Sequence, residues 1–361
     1  MVDVSHLFPG ADGVVYLNTA TMALGNVRTA AAVNSALDEW QHGSFDWARA
    51  EAAGESLRAA VAALLGQDAS TVALVTGASG AAGTVAAQLP PARAKQNVVV
   101  PTREFSSNFL PWRGLRNRGY ELRLVDDVDG VLDADAFAAA VDNETTVVAT
   151  SLVHSHSGFR VDVDALKSIA TDADAWLVLD ASQALGSFSV ATDGIAALFS
   201  CSHKWLLGQR GIGYLYVNPS LIEPFEPITP GWKATEVPGS GFYGPDLDLA
   251  DRASKLDAST PWFDAIANLE GLRIIEEVGI ETIAAHNRSL VDRLEDGGIA
   301  IPFAEQQRSS ILSLDVPNPE QTSANLASQN VVAAVRGGRL RISFHLYNTI
   351  DDADTVISSI E

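Results

Sequence analysis

The sequence predicts an α/β protein built on a mostly parallel sheet with helices on both faces. Three observations point to it. Helical apolar spacing alternates with short β-branched runs along most of the 361 residues, the signature of strand–helix–strand units. Runs such as "NVVVP", "TVVATSLV" and "AWLVLD" are apolar without a break, as strands buried on both faces are. A glycine-rich stretch, "VTGASGAAG" at 75–83, joins one such run to a helical pattern.

In chain order, "VRTAAAVNSALDEWQHG" and "AEAAGESLRAAVAALLG" carry helical spacing, and the second ends at Gly66. "TVALVT" reads as a strand and "GASGAAGTVAAQL" as the helix it feeds. "NVVVP", "ELRLV", "TVVATSLV" and "AWLVLD" follow as short strands. Residues 219–260, rich in Pro and Gly, read as an ordered crossing segment. From Pro261 two helices are expected through "LEDGG". After them come the strand "SSILSLDV", a helix near "TSANLASQN", the strand "GRLRISFHL" and a last helix from Asp351. That order makes a compact second domain.

Composition narrows the function. The net charge of −21 argues against nucleic acid as a partner, because phosphates would be repelled. A dense acidic surface suits high salt, and an arginine-using, GC-rich genome gives the same composition. The apolar runs are far too short to span a bilayer, and "MVDVSHLFPG" has no signal-peptide pattern. The single cysteine, Cys201, excludes an internal disulfide. A soluble cytoplasmic protein is expected.

The glycine-rich turn fits neither of two familiar nucleotide motifs. No tyrosine has a lysine four residues on, as a short-chain dehydrogenase needs, and Ala81 occupies a glycine position. The Gly-Lys-Ser/Thr ending of a Walker A loop is missing. What remains is a helix N-terminus whose N–H groups, with Thr76 and Ser79, can hold one phosphate. His154 and His156 lack the further ligands of a metal site, so no metal is expected; polar residues at a strand end beside a cofactor fit better. Glu104 and Asn108 read equally well as loop polar groups. Asp180 ends an apolar strand, where α/β sheets bind ligands. A helix N-cap role would also explain it. Further on, Lys204 stands in "CSHKWLLGQRGIG", set in apolar chain. A buried amine there can form imines with aldehydes. The cofactor that combines a lysine imine, a phosphate cradle and an aspartate on a ring nitrogen is pyridoxal 5'-phosphate.

Taken together, these stretches resemble the class V aminotransferase family of fold-type I pyridoxal-phosphate enzymes, which includes cysteine desulfurases and isopenicillin N epimerase-like members. The resemblance runs from "YLNTATMALG" to "LRISFHLYNTIDDADTVI", through "TGAS", "EFSSNFLPW", "LDASQA", "CSHKWLLGQRGIGYLYV" and "LDASTP" in family order. It implies a cofactor domain over 15–258 and a smaller α+β domain over 259–361 with residues 1–14. Lys204 would carry the cofactor as an imine and shuttle protons at Cα. Asp180 would pair with the pyridine nitrogen, and Gln183 would bond the phenolic oxygen. Gly77, Ala78, Ser79 and His203 would hold the phosphate, with Phe105 stacked on the ring. Thr260 would reach the phosphate of a neighbouring subunit, which implies a homodimer with a composite site. Arg341 would grip the substrate carboxylate, with Asn18 and His154 also on the substrate side.

Three positions depart from the family pattern. Phe105 stands where desulfurase-type relatives carry a histidine, and Cys201 where many carry a phosphate-binding serine. The stretch "VVAAVRGGRLRIS" contains no cysteine, so the mobile nucleophile of a desulfurase is missing. The expected substrate is an amino acid, or a conjugate with free α-amino and α-carboxyl groups. β-Elimination of the C–S lyase kind is the favoured reaction, with transamination or epimerisation as alternatives. A non-catalytic binding protein on this fold would be expected to lose Lys204 or Asp180, and both are present.

Overall fold

The computed structural model describes residues 3–93, 95–236, 242–245 and 247–360. A short strand, β1 (Val15–Tyr16), precedes the helices α1 (Val27–Gln41) and α2 (Trp47–Leu64). Asp46 starts α2, its carboxylate accepting from the N–H groups of Ala48 and Arg49. Next come β2 (Val72–Val75), α3 (Ala78–Ala87), β3 (Asn97–Pro101), α4 (Ser106–Gly114) and β4 (Glu121–Val125). They are followed by α5 (Ala134–Ala140), β5 (Thr145–Ser151), α6 (Val163–Asp172) and β6 (Trp176–Asp180). Strands β7 (Ala197–Cys201) and β8 (Gly213–Val217) lead to a one-turn helix, α7 (Pro219–Ile222).

These strands form a seven-stranded sheet in the order β2-β8-β7-β6-β5-β3-β4. It is parallel except at β8, which runs antiparallel to both β2 and β7. Alternate residues feed two cores. Val98, Val100, Val178 and Phe199 pack with α3 and α4 on one face. Val99, Val148, Leu179 and Leu198 pack with α2 and the helix that begins at Trp262 on the other. Both faces are dry, which is why the strands read as unbroken apolar runs.

The C-terminal part holds α8 (Trp262–Val278), α9 (Ile280–Asp296), β9 (Ile311–Leu314), α10 (Pro319–Ser328), β10 (Val331–Val332), β11 (Ala334–Arg336), β12 (Arg339–Ser343) and α11 (Ile350–Ile360). Strands β11, β12 and β9 make an antiparallel sheet, while β10 pairs with β1. The sequence reading placed no strand in "VVAAVRGG", because two- and three-residue strands carry no periodicity. The turn makes the hairpin instead: Arg336 pairs with Arg339 across Gly337 and Gly338, whose φ angles are 57° and 75°. Two positive φ values define the tight turn that matches strand twist.

One buried ion pair fixes the sheet edge. Arg58 of α2 meets Asp257 at 2.6 Å, and Asp257 also accepts the N–H of Leu74 in β2. Removing either partner would strand a buried charge.

Candidate active site

The parallel strands β3, β5, β6 and β7 all end on one side of the sheet, and the chemistry-bearing residues follow those ends. Asp180 closes β6 in register with Ser151 of β5 and Phe199 of β7. Lys204 lies in the turn after β7, which Ser202 pins by bonding the carbonyl of Ile212. Gly77, Ala78 and Ser79 open α3 after β2, and Phe105 precedes α4 after β3. All of these, with Gln183, His203 and Arg341, line one cavity of about 420 Å³.

Lys204 is 8 % exposed, and its amine makes no hydrogen bond or ion pair among the described residues. Its Nζ lies 5.4 Å from the centroid of the Phe105 ring. The Asp180 carboxylate accepts the N–H of Ser182 at 2.8 Å. Burial pushes its carboxyl up to about 6; Ser182 opposes the rise, the neighbouring Glu104 carboxyl adds to it and Lys204 opposes it. Such a group is primed to ionise against a cationic ring nitrogen. Glu104 accepts from the Ser151 N–H and hydroxyl, both at 2.6 Å, and burial raises its own pKa. It is the brace that holds the end of β5 beside Asp180, a role that one polar residue in a loop sequence did not signal.

At the cradle, Gly77 has φ 120° and begins α3 without a side-chain cap. A Cβ on Gly213 of β8 would stand 2.5 Å from the Gly77 Cα, so the two backbones meet where only glycine fits. Gly77, Ala78 and Ser79 line the cavity, and the unpaired N–H groups of a helix start suit a phosphate. Burial lowers His203 to about 4, and Lys204 and Arg210 add to the effect. Its neutral ring can act as donor or acceptor there. Gln183 lines the cavity, yet its Nε2 donates to the Ala20 carbonyl and its Oε1 accepts from Trp205. Ser182 Oγ, buried beside it, has no partner among the described residues. A lysine amine without a partner, a buried carboxylate at a strand end, an orphaned hydroxyl and an uncapped helix N-terminus together fit pyridoxal phosphate.

Arg341 of β12 is 4 % exposed and donates to Ser155 O at 2.9 Å and to Thr21 Oγ1 at 2.6 Å. Burial lowers its pKa to about 10, with a further push from Arg336. Three residues named from the sequence do not line this cavity in the single chain, Thr260 among them, which was expected at a neighbouring subunit's phosphate. Asn18 sits behind Arg341, its Oδ1 3.5 Å from Nη2. His154 is buried against Thr150, at 3.1 Å, and burial lowers it to about 4. Thr260 is packed against Gly54 of α2, and its Oγ1 lacks a partner among the described residues. Arg210 and Arg336, which sequence reading missed, do line the cavity. Cys201 lines it too, with a thiol that burial holds protonated. Among the described residues, no helix is long and apolar enough to cross a membrane.

Known proteins agree with this geometry. The chain matches the family described as aminotransferase class-V over residues 41–356. It is 25 % identical to an uncharacterised aminotransferase of Bacillus subtilis, covering 91 % of this chain and 89 % of that one. A probable cysteine desulfurase of Methanothermobacter thermautotrophicus is 28 % identical, covering 74 % of this chain and 73 % of its own. Among solved structures, the apo cysteine desulfurase of Thermococcus onnurineus superposes with a TM-score of 0.84 at 24 % identity, covering 99 % and 96 % of the two chains. The cystine C–S lyase C-DES, bound to its product cysteine persulfide, does so at 0.85 and 16 % identity, covering 98 % of each. The chain belongs to the class V aminotransferase family of fold-type I proteins and is a pyridoxal-phosphate-dependent enzyme.

Proposed function

We propose that this enzyme carries its cofactor on Lys204 and acts at Cα and Cβ of an amino acid, expelling a sulfur leaving group by β-elimination. The observation that carries the reading is Lys204: a buried, unpartnered amine between the cradle, Asp180 and Arg341. When bound, pyridoxal phosphate supplies an aldehyde that condenses with amines and a ring that withdraws electrons from Cα. Arg341 would grip the substrate carboxylate and so orient the bonds at Cα. Lys204 takes the Cα proton, and Asp180 stays ionised to hold a protonated ring nitrogen. Phe105, half exposed, lines the cavity and offers its ring beside Lys204.

Two features favour elimination over desulfuration. The hairpin that carries Arg336 is closed by a two-residue turn and has no thiol. Cys201, the only cysteine in the sequence, is buried and protonated, so it is a poor acceptor of sulfur. The solved cystine C–S lyase with the same fold supports the same branch. Transamination is the second reading, because Lys204 can equally return the proton to the cofactor side, and an aminotransferase is among the relatives. The enzyme works as a homodimer in this reading, with Thr260 completing the partner's phosphate site.

The purified protein should absorb visible light near the yellow of a lysine-bound cofactor, and borohydride should fix the label to Lys204. Lys204→Ala should lose both signals and turnover. A variant that keeps them sinks the assignment. Screening keto-acid, ammonia and sulfide products then separates the two branches.

A further inference from the structure

Arg341 alone satisfies one substrate carboxylate, yet a second guanidinium reaches the same place. Arg336 stands diagonally across the β11–β12 pair from Arg341, since Ala334 is opposite Arg341. Both side chains aim at Thr21 Oγ1, at 2.6 Å for Arg341 and 3.5 Å for Arg336. Neither makes an ion pair among the described residues, although the chain holds 45 acidic residues against 24 basic ones. Among the described residues Asp180 is the only carboxylate lining the cavity, and it lies at the end of β6. Arg210, the third guanidinium there, lies close enough to His203 to lower its pKa, on the phosphate side of the cavity. Arg336 is thus left facing the mouth without a counter-ion. Two like charges this close cost free energy that an anion between or beside them recovers.

The hairpin makes this placement firm. Gly337 and Gly338 close the turn directly after Arg336, so the guanidinium rides on a paired strand and not on a loose loop. Arg341 is buried and held by two acceptors, which suits an α-carboxylate whose position must be exact for chemistry. Arg336 is exposed and held only by the Val335 carbonyl and the distant Thr21 hydroxyl. It suits the far end of a side chain.

We infer that Arg336 is a specificity residue, and that the substrate is an amino acid whose side chain ends in an anionic group such as a carboxylate. This rests on the reading of Lys204 and Arg341 given above. The test uses the holoenzyme and the half-saturation of its visible absorbance change with matched pairs: aspartate and asparagine, glutamate and glutamine, S-carboxymethylcysteine and S-carbamoylmethylcysteine. The anionic member of at least one pair should half-saturate about tenfold lower or better, the worth of one charge-assisted bond. Arg336→Gln should bring that ratio to within about threefold of one, and Arg336→Lys should restore part of it. Equal half-saturation within every pair, a ratio that survives Arg336→Gln, or no response to any anionic member overturns the inference. A protein with no lysine-dependent visible band overturns the earlier reading instead.

Discussion

Asp180 is 3 % exposed and ends β6, its carboxylate bonded to the N–H of Ser182. Its carboxyl moves from 3.8 to about 6 in the folded chain, chiefly through burial. A group that holds its proton more tightly when folded weakens the fold as pH rises from the unfolded value through the folded one. In the cofactor-free protein the ionised form therefore costs on the order of 3 kcal/mol above about pH 6. Cofactor-free Asp180→Asn should melt above the wild type at pH 7.5, with the gap closing by about pH 4. Thermal melts across that range check it, and a lower melting point for Asp180→Asn at pH 7.5 would contradict it. The loaded variant should lose on the order of 100-fold in turnover, since the ring nitrogen loses its counter-charge. Lys204 and Asp180 were readable because each is a charge set among apolar neighbours. Arg336 was not, because an arginine beside glycines resembles any surface turn until strand register places it over the cavity. Asn18 and His154 were placed on the substrate side by resemblance, and in the fold their side chains meet Arg341 and Thr150.

Among the elements, the junction of β2, α3 and β8 does most to shape the cofactor site. Gly213→Ala should force the backbone of Gly77 aside, lifting the N–H groups of α3 off the phosphate. Titrating cofactor-free variant with pyridoxal phosphate should show affinity weakened about tenfold or more, the worth of one good hydrogen bond to a charged group. Unchanged affinity would show that the cradle tolerates a shift there. The helices and apolar strands were legible because burial on one stripe or on both faces writes a period into sequence. The reversed direction of β8 was not, since "GYLYV" is buried throughout and reads the same in either sense. Strands β10 and β11 escaped for a different reason, being set by the Gly337–Gly338 turn and by pairing with β1 and β12.

Across the whole molecule, aromatic residues gather on one face beside Thr260. Trp47 lies 6.5 Å from both Trp232 and Trp262, and Trp232 lies 5.6 Å from Phe242. Trp40, Trp47, Phe242 and Tyr243 are exposed in the single chain. Such a patch on an otherwise acidic protein suits a second copy of the chain, with the orphaned hydroxyl of Thr260 at its edge. The native protein should sediment as a dimer. Trp47→Glu should shift it toward monomer and lower cofactor retention. Inactive Lys204 and Thr260 variants, mixed after subunit exchange, should regain part of the activity. A fully active, cofactor-loaded monomer sinks the dimer reading. The antiparallel β8 has one more consequence at this scale. It joins the lysine turn to the cradle, so residues near 77 and 204 become neighbours only after β2 has docked on a strand from much later in the chain. A ligand bridging the two works as a staple across distant sequence: it binds the finished fold, not a fragment, and stabilises that fold with the logarithm of its own concentration.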